Sequence, residues 1–410
     1  MTIARREFLK VVGGASLVGS IGGYTATASA ATSGLPAFSF SDNRVPMNAA
    51  NLCPMPASVS AANTKYANDL DRDLSTANRK RIEAYKEDAR SRIAGLLSTS
   101  TDELAIVRNT SEANNVIVQG LPLNTGDEIV LWDQNHPSNF GAWDVRAKRS
   151  GAVVRHFSVP SDSGSIDEVV DLFVAAVSDK TVVVSFTHIS NISGFRTPVA
   201  EICAALRKRK SNLHIHVDGA QTWGAVDINL DQVDCDSFSG SAHKWFMGPR
   251  EVGLLYVRER NIDRIWPIIV SIPWGEADAP PAGARKFDAL GQRDDAAIAA
   301  LSDAAKMHEE LTPVGVEDQS AMIAGHLRAG LQDLDLPFVS TANPLFTSSV
   351  VILRAPNGAG PKMVEQVFTD SGVVTAPTAG FRMSPHIYNT LEHVDRVLAA
   401  VRKNRGMLVG

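Results

Sequence analysis

The chain has 410 residues, 44% of them hydrophobic and 21% charged, with a formal net charge of -5 and a pI near 6.1. That length is too much for one small core and is comfortable for two domains. The mild acidity argues against a nucleic-acid or anionic-membrane partner, since both favour basic surfaces. Cys53, Cys203 and Cys235 stand without a CxxC or a Cys/His cluster, so neither a disulfide framework nor a zinc site is indicated.

The first thirty residues are ordered as an export leader. Arg5 and Arg6 precede Phe8 and Leu9, a Gly-rich apolar run follows from Val11 to Gly23, and Ala28-Ser29-Ala30 offers a small-residue cleavage site. The apolar run is shorter than the roughly 20 residues that span a bilayer. The paired arginines resemble a twin-arginine signal. That resemblance implies cleavage after Ala30, the twin-arginine export machinery as a partner, and a periplasmic or secreted protein. Because this route carries folded chains, it fits a protein that takes up a cofactor before it leaves the cytoplasm.

After the leader, residues 31–60 read as an irregular arm and Val59 to Leu97 as mostly helical. ELAIVRNTSEANN gives a strand, a polar turn and a helix start, where Thr110, Ser111 and Glu112 bring hydroxyls and backbone N–H groups together. Asp127 and Glu128 lead a buried strand, Ile129 to Trp132, and His136 follows it in a loop. VVRHFSV is the next strand, SIDEVVDLFVAAV an amphipathic helix, TVVVSFTHISNISGF a β-branched strand ending at His188 and Asn191, and PVAEICAALRKR a helix opening on Pro198. In this last helix Cys203 reads as a packed thiol, and Arg196 before it stands where it could reach a substrate carboxylate, although a surface ion pair is the commoner fate of such an arginine. The alternation of strands and helices from Glu103 to Tyr256 predicts an α/β domain, a mostly parallel sheet with helices on both faces.

His216 to Tyr256 is the stretch the rest serves. LHIHVDGAQ is a strand that ends in Asp218 and turns on Gly219, CDSFSGSAHKW brings Ser241, His243 and Lys244 to a second strand end, and VGLLYV is a short buried strand. An acid at one strand end, a lysine at another and hydroxyls between them suit pyridoxal phosphate: the amine bonds to the cofactor carbonyl, the carboxylate holds the pyridine nitrogen protonated, and the hydroxyls hold the phosphate.

VDGAQ followed by SAHKW resembles the class V aminotransferases, fold-type I pyridoxal-phosphate enzymes that include cysteine desulfurases and isopenicillin N epimerase-like proteins. The resemblance implies pyridoxal 5'-phosphate as cofactor and Lys244 as the Schiff-base lysine. It implies Asp218 on the ring nitrogen, His136 stacked on the ring, and Ser111 in the phosphate-binding turn. Glu112, Asn191, Gln221, Ser241 and His243 complete the implied cofactor-binding set, Asn191 near the phenolic oxygen. GQRD at Gly291 to Asp294 resembles the loop that reaches the phosphate of the other subunit in a homodimer, with Gln292 where a threonine is common. FRMSPHIYNT resembles the C-terminal signature, so Arg382 matches the arginine that clamps a substrate carboxylate.

The expected organisation is a large cofactor-binding domain over 61–285, a linking helix over 286–311 that includes Asp294 to Leu311, and a small α+β domain over 312–410. Pro273, Pro280, Pro281 and Gly283 mark a loop before the linking helix. The catalytic cysteine of the desulfurases has no counterpart in GVVTAPTAG, Gly372 to Gly380. The expected function is an exported enzyme acting on an amino acid or peptide-like amine, by epimerisation, transamination or β-elimination, in secondary-metabolite or siderophore maturation. Two alternatives stand beside it: a non-catalytic binding protein that kept the fold, and a cysteine or selenocysteine lyase without a loop cysteine.

Overall fold

The computed structural model describes residues 34–271, 281–354, 361–378 and 380–408. The leader over residues 1–30 lies outside them, as do Pro273 and Pro280. Strand β1 (Val45–Pro46) belongs to the N-terminal arm. The centre of the fold is a sheet of β2 (Leu104–Val107), β3 (Glu128–Trp132), β4 (Val153–Phe157), β5 (Thr181–Thr187), β6 (His214–Asp218), β7 (Ser237–Ser241) and β8 (Gly253–Val257). Their order is β2-β8-β7-β6-β5-β3-β4. Strand β8 is antiparallel to both neighbours, and the other pairings are parallel. Since β2 and β7 both oppose β8, they run the same way.

Side chains alternate across a strand with period two, and here the alternation sorts residues into two cores. Leu104, Ile106, Val130, Trp132, Val184, Phe186, Leu254 and Tyr256 enter one; Ala105, Val107, Ile129, Leu131, Val183, Leu255 and Val257 enter the other. Burial on both faces is why these strands read as nearly continuous apolar runs. Helices α1 (Ala57–Arg72), α2 (Thr76–Leu97), α3 (Thr110–Gly120), α4 (Pro137–Ser150), α5 (Ile166–Ala175) and α6 (Val199–Arg209) cover the sheet, with α7 (Asp295–Leu311) and α8 (Pro313–Gln332) following. Ile93 of α2, Phe173 of α5 and Cys203 of α6 pack into the first core. Ile117 of α3 and Trp143 of α4 pack into the second.

Local chemistry sets the helix ends. Asn109 caps α3 by accepting from the Glu112 N–H at 3.0 Å, Pro137 opens α4 without losing a needed donor, and α4 stops at Gly151 with φ of +76°. A parallel strand can follow another only by a crossover. The carboxyl ends of β2, β3, β5, β6 and β7 therefore meet at one edge of the sheet, where ligands bind in this architecture.

A second layer begins with β9 (Val351–Leu353) and continues through α9 (Pro361–Asp370), β10 (Val373–Val374), β11 (Ala376–Pro377), β12 (Phe381–Met383) and α10 (Leu391–Lys403). Strands β11, β12 and β9 form an antiparallel sheet in that order. Its core joins Leu327 and Leu331 of α8 to Val394, Val397 and Val401 on one face of α10. The arm ties this layer to the large sheet. Strand β1 pairs with β10, Ala49 N–H donates to the Ser384 carbonyl at 3.0 Å, and Cys53 N–H donates to the His243 carbonyl at 2.8 Å. Residues Pro36–Gly410 are one compact unit. Among the described residues no helix is long and apolar enough to cross a membrane.

Candidate active site

The loops after β3, β5, β6 and β7, the arm and β12 close around a cavity of about 350 Å³, whose wall includes Asn51, His136, Asn191, Gln221, Lys244 and Arg382. The β7–β8 connection carries Lys244 on a tight turn, with Met247 N–H donating to the Lys244 carbonyl at 2.9 Å. Burial lowers the Lys244 amine to about 8; Asp218 opposes that shift and Arg382 reinforces it. An amine at that value is substantially neutral near pH 8 and can act as a nucleophile or proton carrier.

Asp218 ends β6 and is buried. Its carboxylate accepts from Ala220 N–H at 3.0 Å and from the Asn114 amide at 2.9 Å. The turn after it needs glycine: a Cβ on Gly219 would stand 1.9 Å from the Phe238 ring. His136 caps α4, its Nδ1 accepting from Ser138 N–H at 3.1 Å, which leaves its proton on Nε2. Burial and the Lys244 amine lower its pKa, against Asp218, so it is a neutral ring. His243 is lowered to about 4 by burial first and then by Lys244 and Arg250.

At the N-terminus of α3 the Ser241 hydroxyl is engaged by Thr110, accepting from its N–H at 2.8 Å and meeting its hydroxyl at 2.7 Å. β7 and α3 are thereby joined at a helix N-terminus, whose dipole favours an anion. Ser111 is exposed at this turn. Glu112 is engaged locally instead of facing the cavity, its carboxylate accepting from Arg108 N–H at 2.6 Å and pairing with the Arg108 guanidinium at 3.1 Å. A Cβ on Gly253 would come within 2.7 Å of the Asn109 backbone, so β8 can pass this turn only as glycine. Arg293 of the GQRD segment donates to the Ile106 and Val107 carbonyls of β2, and Gln292 accepts from Arg79 at 3.4 Å.

Gln221 braces the cavity from below: its amide donates to the Ala50 carbonyl at 3.0 Å and accepts from the Trp245 indole at 2.7 Å. Asn191 presents its carbonyl to the Arg382 Nη1 at 3.3 Å. Arg382 is buried and lies close enough to Lys244 to depress its pKa. Burial lowers the guanidinium to about 10, and its Nε is buried with no partner among the described residues. Arg196 forms a salt bridge to Glu317 at 2.6 Å. Cys53 donates toward the Ala49 carbonyl, and burial pushes its thiol up to about 12.

Lys244, Asp218, His136, Asn191, Gln221 and Arg382 are therefore brought together, while Ser111, Glu112 and Ser241 sit at the α3 turn and His243 joins the arm. Asn51, Thr378 and Asn114 are additional residues of the site. Asn114 had a signal in the sequence, a polar residue on the apolar face of NTSEANNVIV; Asn51 and Thr378 had none, because an arm and a loop carry no periodicity.

A neutral-capable lysine, a fixed carboxylate and a helix N-terminus at one sheet edge define an enzyme site suited to a carbonyl cofactor with an anionic tail. The chain belongs to the aminotransferase class-V family, whose model matches residues 50–397, a pyridoxal-phosphate-dependent enzyme class. It is 26% identical to the isopenicillin N epimerase of Streptomyces clavuligerus over 87% of this chain and 94% of that protein. It is 27% identical to a cysteine desulfurase of Haloferax volcanii over 82% of each. Among solved structures, a C-DES mutant with glycine covalently linked to its PLP cofactor superposes with a TM-score of 0.80 at 23% identity, covering 87% of this chain and 96% of that one.

Proposed function

We propose that this chain is an exported pyridoxal-phosphate enzyme that acts at Cα of an amino acid, or of a peptide-like amine that keeps a free α-carboxylate. The observation that carries the reading is Arg382: a buried guanidinium in the cavity wall near Lys244 that, among the described residues, pairs with one backbone carbonyl and keeps an Nε without a partner. A buried cation without a counter-ion is costly, and a substrate carboxylate would offset that cost through charge-assisted hydrogen bonds.

The residues present fit the cofactor. Lys244 would hold its carbonyl carbon, Asp218 its ring nitrogen, His136 its ring face, and the α3 turn with Ser111, Thr110 and Ser241 its phosphate. When bound, the cofactor supplies a sink for the electron pair left at Cα. Arg382 orients the substrate by its carboxylate and Asn191 braces that guanidinium. Lys244 Nζ, once free of its own bond, takes a proton from Cα or returns one there, and a pKa near 8 suits both directions. The epimerase relative favours reprotonation of Cα on the face opposite Lys244 over permanent loss of the proton. Cys53 supplies no persulfide chemistry, since its thiol is buried and held protonated. The paired arginines of the leader support export after folding, and the GQRD resemblance supports a homodimer. Export together with the epimerase relative supports a role in maturing a secondary metabolite or siderophore.

The experiment is Cα-hydrogen exchange in heavy water, followed by NMR across free amino acids and their C-terminal amides. Exchange with the free acids, lost with the amides and in Arg382→Lys, supports the reading. Equal exchange with acids and amides would overturn the carboxylate requirement.

A further inference from the structure

Strands β6 and β7 lie at the centre of the sheet, yet one face of each is polar. His214, His216 and Asp218 fall on alternate positions of β6, and Ser237, Ser239 and Ser241 on alternate positions of β7. All six are buried. The register sets His216 beside Ser237 and Asp218 beside Ser239. The residues between them, Ile215, Val217 and Phe238, enter the apolar core on the opposite face. Buried polar groups are costly unless each is paired, and here Asn114 of α3 reaches down to pair them.

The hydrogen bonds of this stripe all point one way. Asn114 Oδ1 accepts from the Ser239 hydroxyl at 2.7 Å and faces His216 Nε2 at 3.0 Å. Its Nδ2 then donates to Asp218 Oδ2 at 2.9 Å. The reverse amide orientation would set an oxygen against the carboxylate and an NH₂ against two donors, so the network fixes the assignment. His216 Nδ1 meets the Ser237 hydroxyl at 2.8 Å, and Ser237 meets His214 Nε2 at 2.9 Å. Both imidazoles are neutral, His216 lowered to about 4 and His214 to about 3, each by burial first, against Asp218 and Asp236 respectively. A neutral imidazole has one N–H. His216 spends it on Asn114, so it accepts from Ser237, whose oxygen accepts from His214. Donation thus runs from His214 through Ser237, His216 and Asn114 to Asp218.

We propose that Asn114 is the positioning residue of Asp218, the end of a one-way hydrogen-bond relay that aims this carboxylate and fixes how strongly it holds the ring nitrogen of the bound cofactor. The inference rests on the pyridoxal-phosphate reading above and goes beyond it, because it assigns the tuning of the electron sink to residues that touch neither cofactor nor substrate. Chains of aligned hydrogen bonds polarise one another, so the relay acts on Asp218 as one dipole. Asn114→Ala removes its last link and leaves Asp218 with the Ala220 N–H alone. Ser239→Ala removes one of the two donors that hold the amide in orientation.

The test uses the full chain loaded with pyridoxal phosphate labelled with ¹⁵N in the ring. Two quantities are read beside the melting temperature: the cofactor dissociation constant and the ring-nitrogen chemical shift. In Asn114→Ala the Asp218 carboxylate is no longer aimed at the ring nitrogen, which predicts a raised dissociation constant and a ring nitrogen shifted toward its unprotonated value. Ser239→Ala moves both in the same direction by less, and carries the test alone if Asn114→Ala does not fold. Wild-type chain that binds no cofactor would overturn the enzyme reading itself. Wild type that binds it, with both readouts unchanged in the variants whatever their melting temperatures, would overturn the relay.

Discussion

The amine of Lys244 is held where its charge is costly, and this has a consequence for stability. Its pKa falls from 10.5 to about 8, chiefly by burial. A shift of that size means the folded apo-protein binds the proton less tightly than the unfolded chain, by about 3 kcal/mol at neutral pH. Lys244→Met keeps the side-chain length and removes the charge, so the apo form of this variant should gain up to about 3 kcal/mol near pH 7. The sign follows from linkage. Between the folded and unfolded pKa values the unfolded chain carries the extra proton, so wild-type stability rises with pH through that window. The penalty is full below about 8 and gone above about 10.5, so at roughly pH 9.5 the advantage of the variant should shrink to about 1.4 kcal/mol. Urea unfolding of apo wild type and Lys244→Met at the two pH values measures this directly. A variant no more stable than wild type at neutral pH, or a difference that does not change with pH, would refute the reasoning. The same substitution should abolish the visible absorbance of the loaded enzyme, because it removes the covalent anchor.

Asp218→Asn should retain some cofactor but lose most turnover, since the ring nitrogen is no longer held protonated; turnover within a few-fold of wild type, measured at saturating cofactor, would count against that role. Gln221→Ala leaves the Trp245 indole N–H and the Ala50 carbonyl without their partner, so it should cost about 1–3 kcal/mol in chemical unfolding and expose the arm to proteolysis. Neither effect would mean that the arm is held by its backbone pairings alone. Arg382→Lys cannot reproduce the planar fork and should weaken binding of free amino acids about 10- to 100-fold, read as cofactor spectral shifts on titration, with the unliganded spectrum unchanged. Arg5→Lys with Arg6→Lys should leave uncleaved, cofactor-loaded protein in the cytoplasm; mature-size protein in the exported fraction would point to another route.

Much of the site could be read before any coordinates, because its residues sit where periodic strands stop. Asp218 and Lys244 each follow a short buried run, and the turn at Thr110 and Ser111 precedes an amphipathic helix. The arm could not be read this way. Ala50 and Asn51 line the cavity from an irregular stretch with no repeating pattern. Residues tied up by distant neighbours were equally hidden: nothing local distinguishes the Ser241 hydroxyl that meets Thr110 131 positions away from one left free.

The sequence by itself determined the large sheet and the class of enzyme, and set Lys244 just past a strand end, since these depend on hydrophobic period, turn residues and short motifs whose chemistry is local. Only the tertiary structure decided that β8 runs against its neighbours, that Arg382 is brought near Lys244 with a nitrogen unpaired among the described residues, and that two histidines and two serines of the central strands are wired through Asn114 to Asp218 rather than left as isolated polar residues. The physical reason is that hydrogen bonds and desolvation act between groups a hundred or more positions apart. Whether a buried polar side chain is satisfied, free for a ligand or costly is a property of what the fold places beside it.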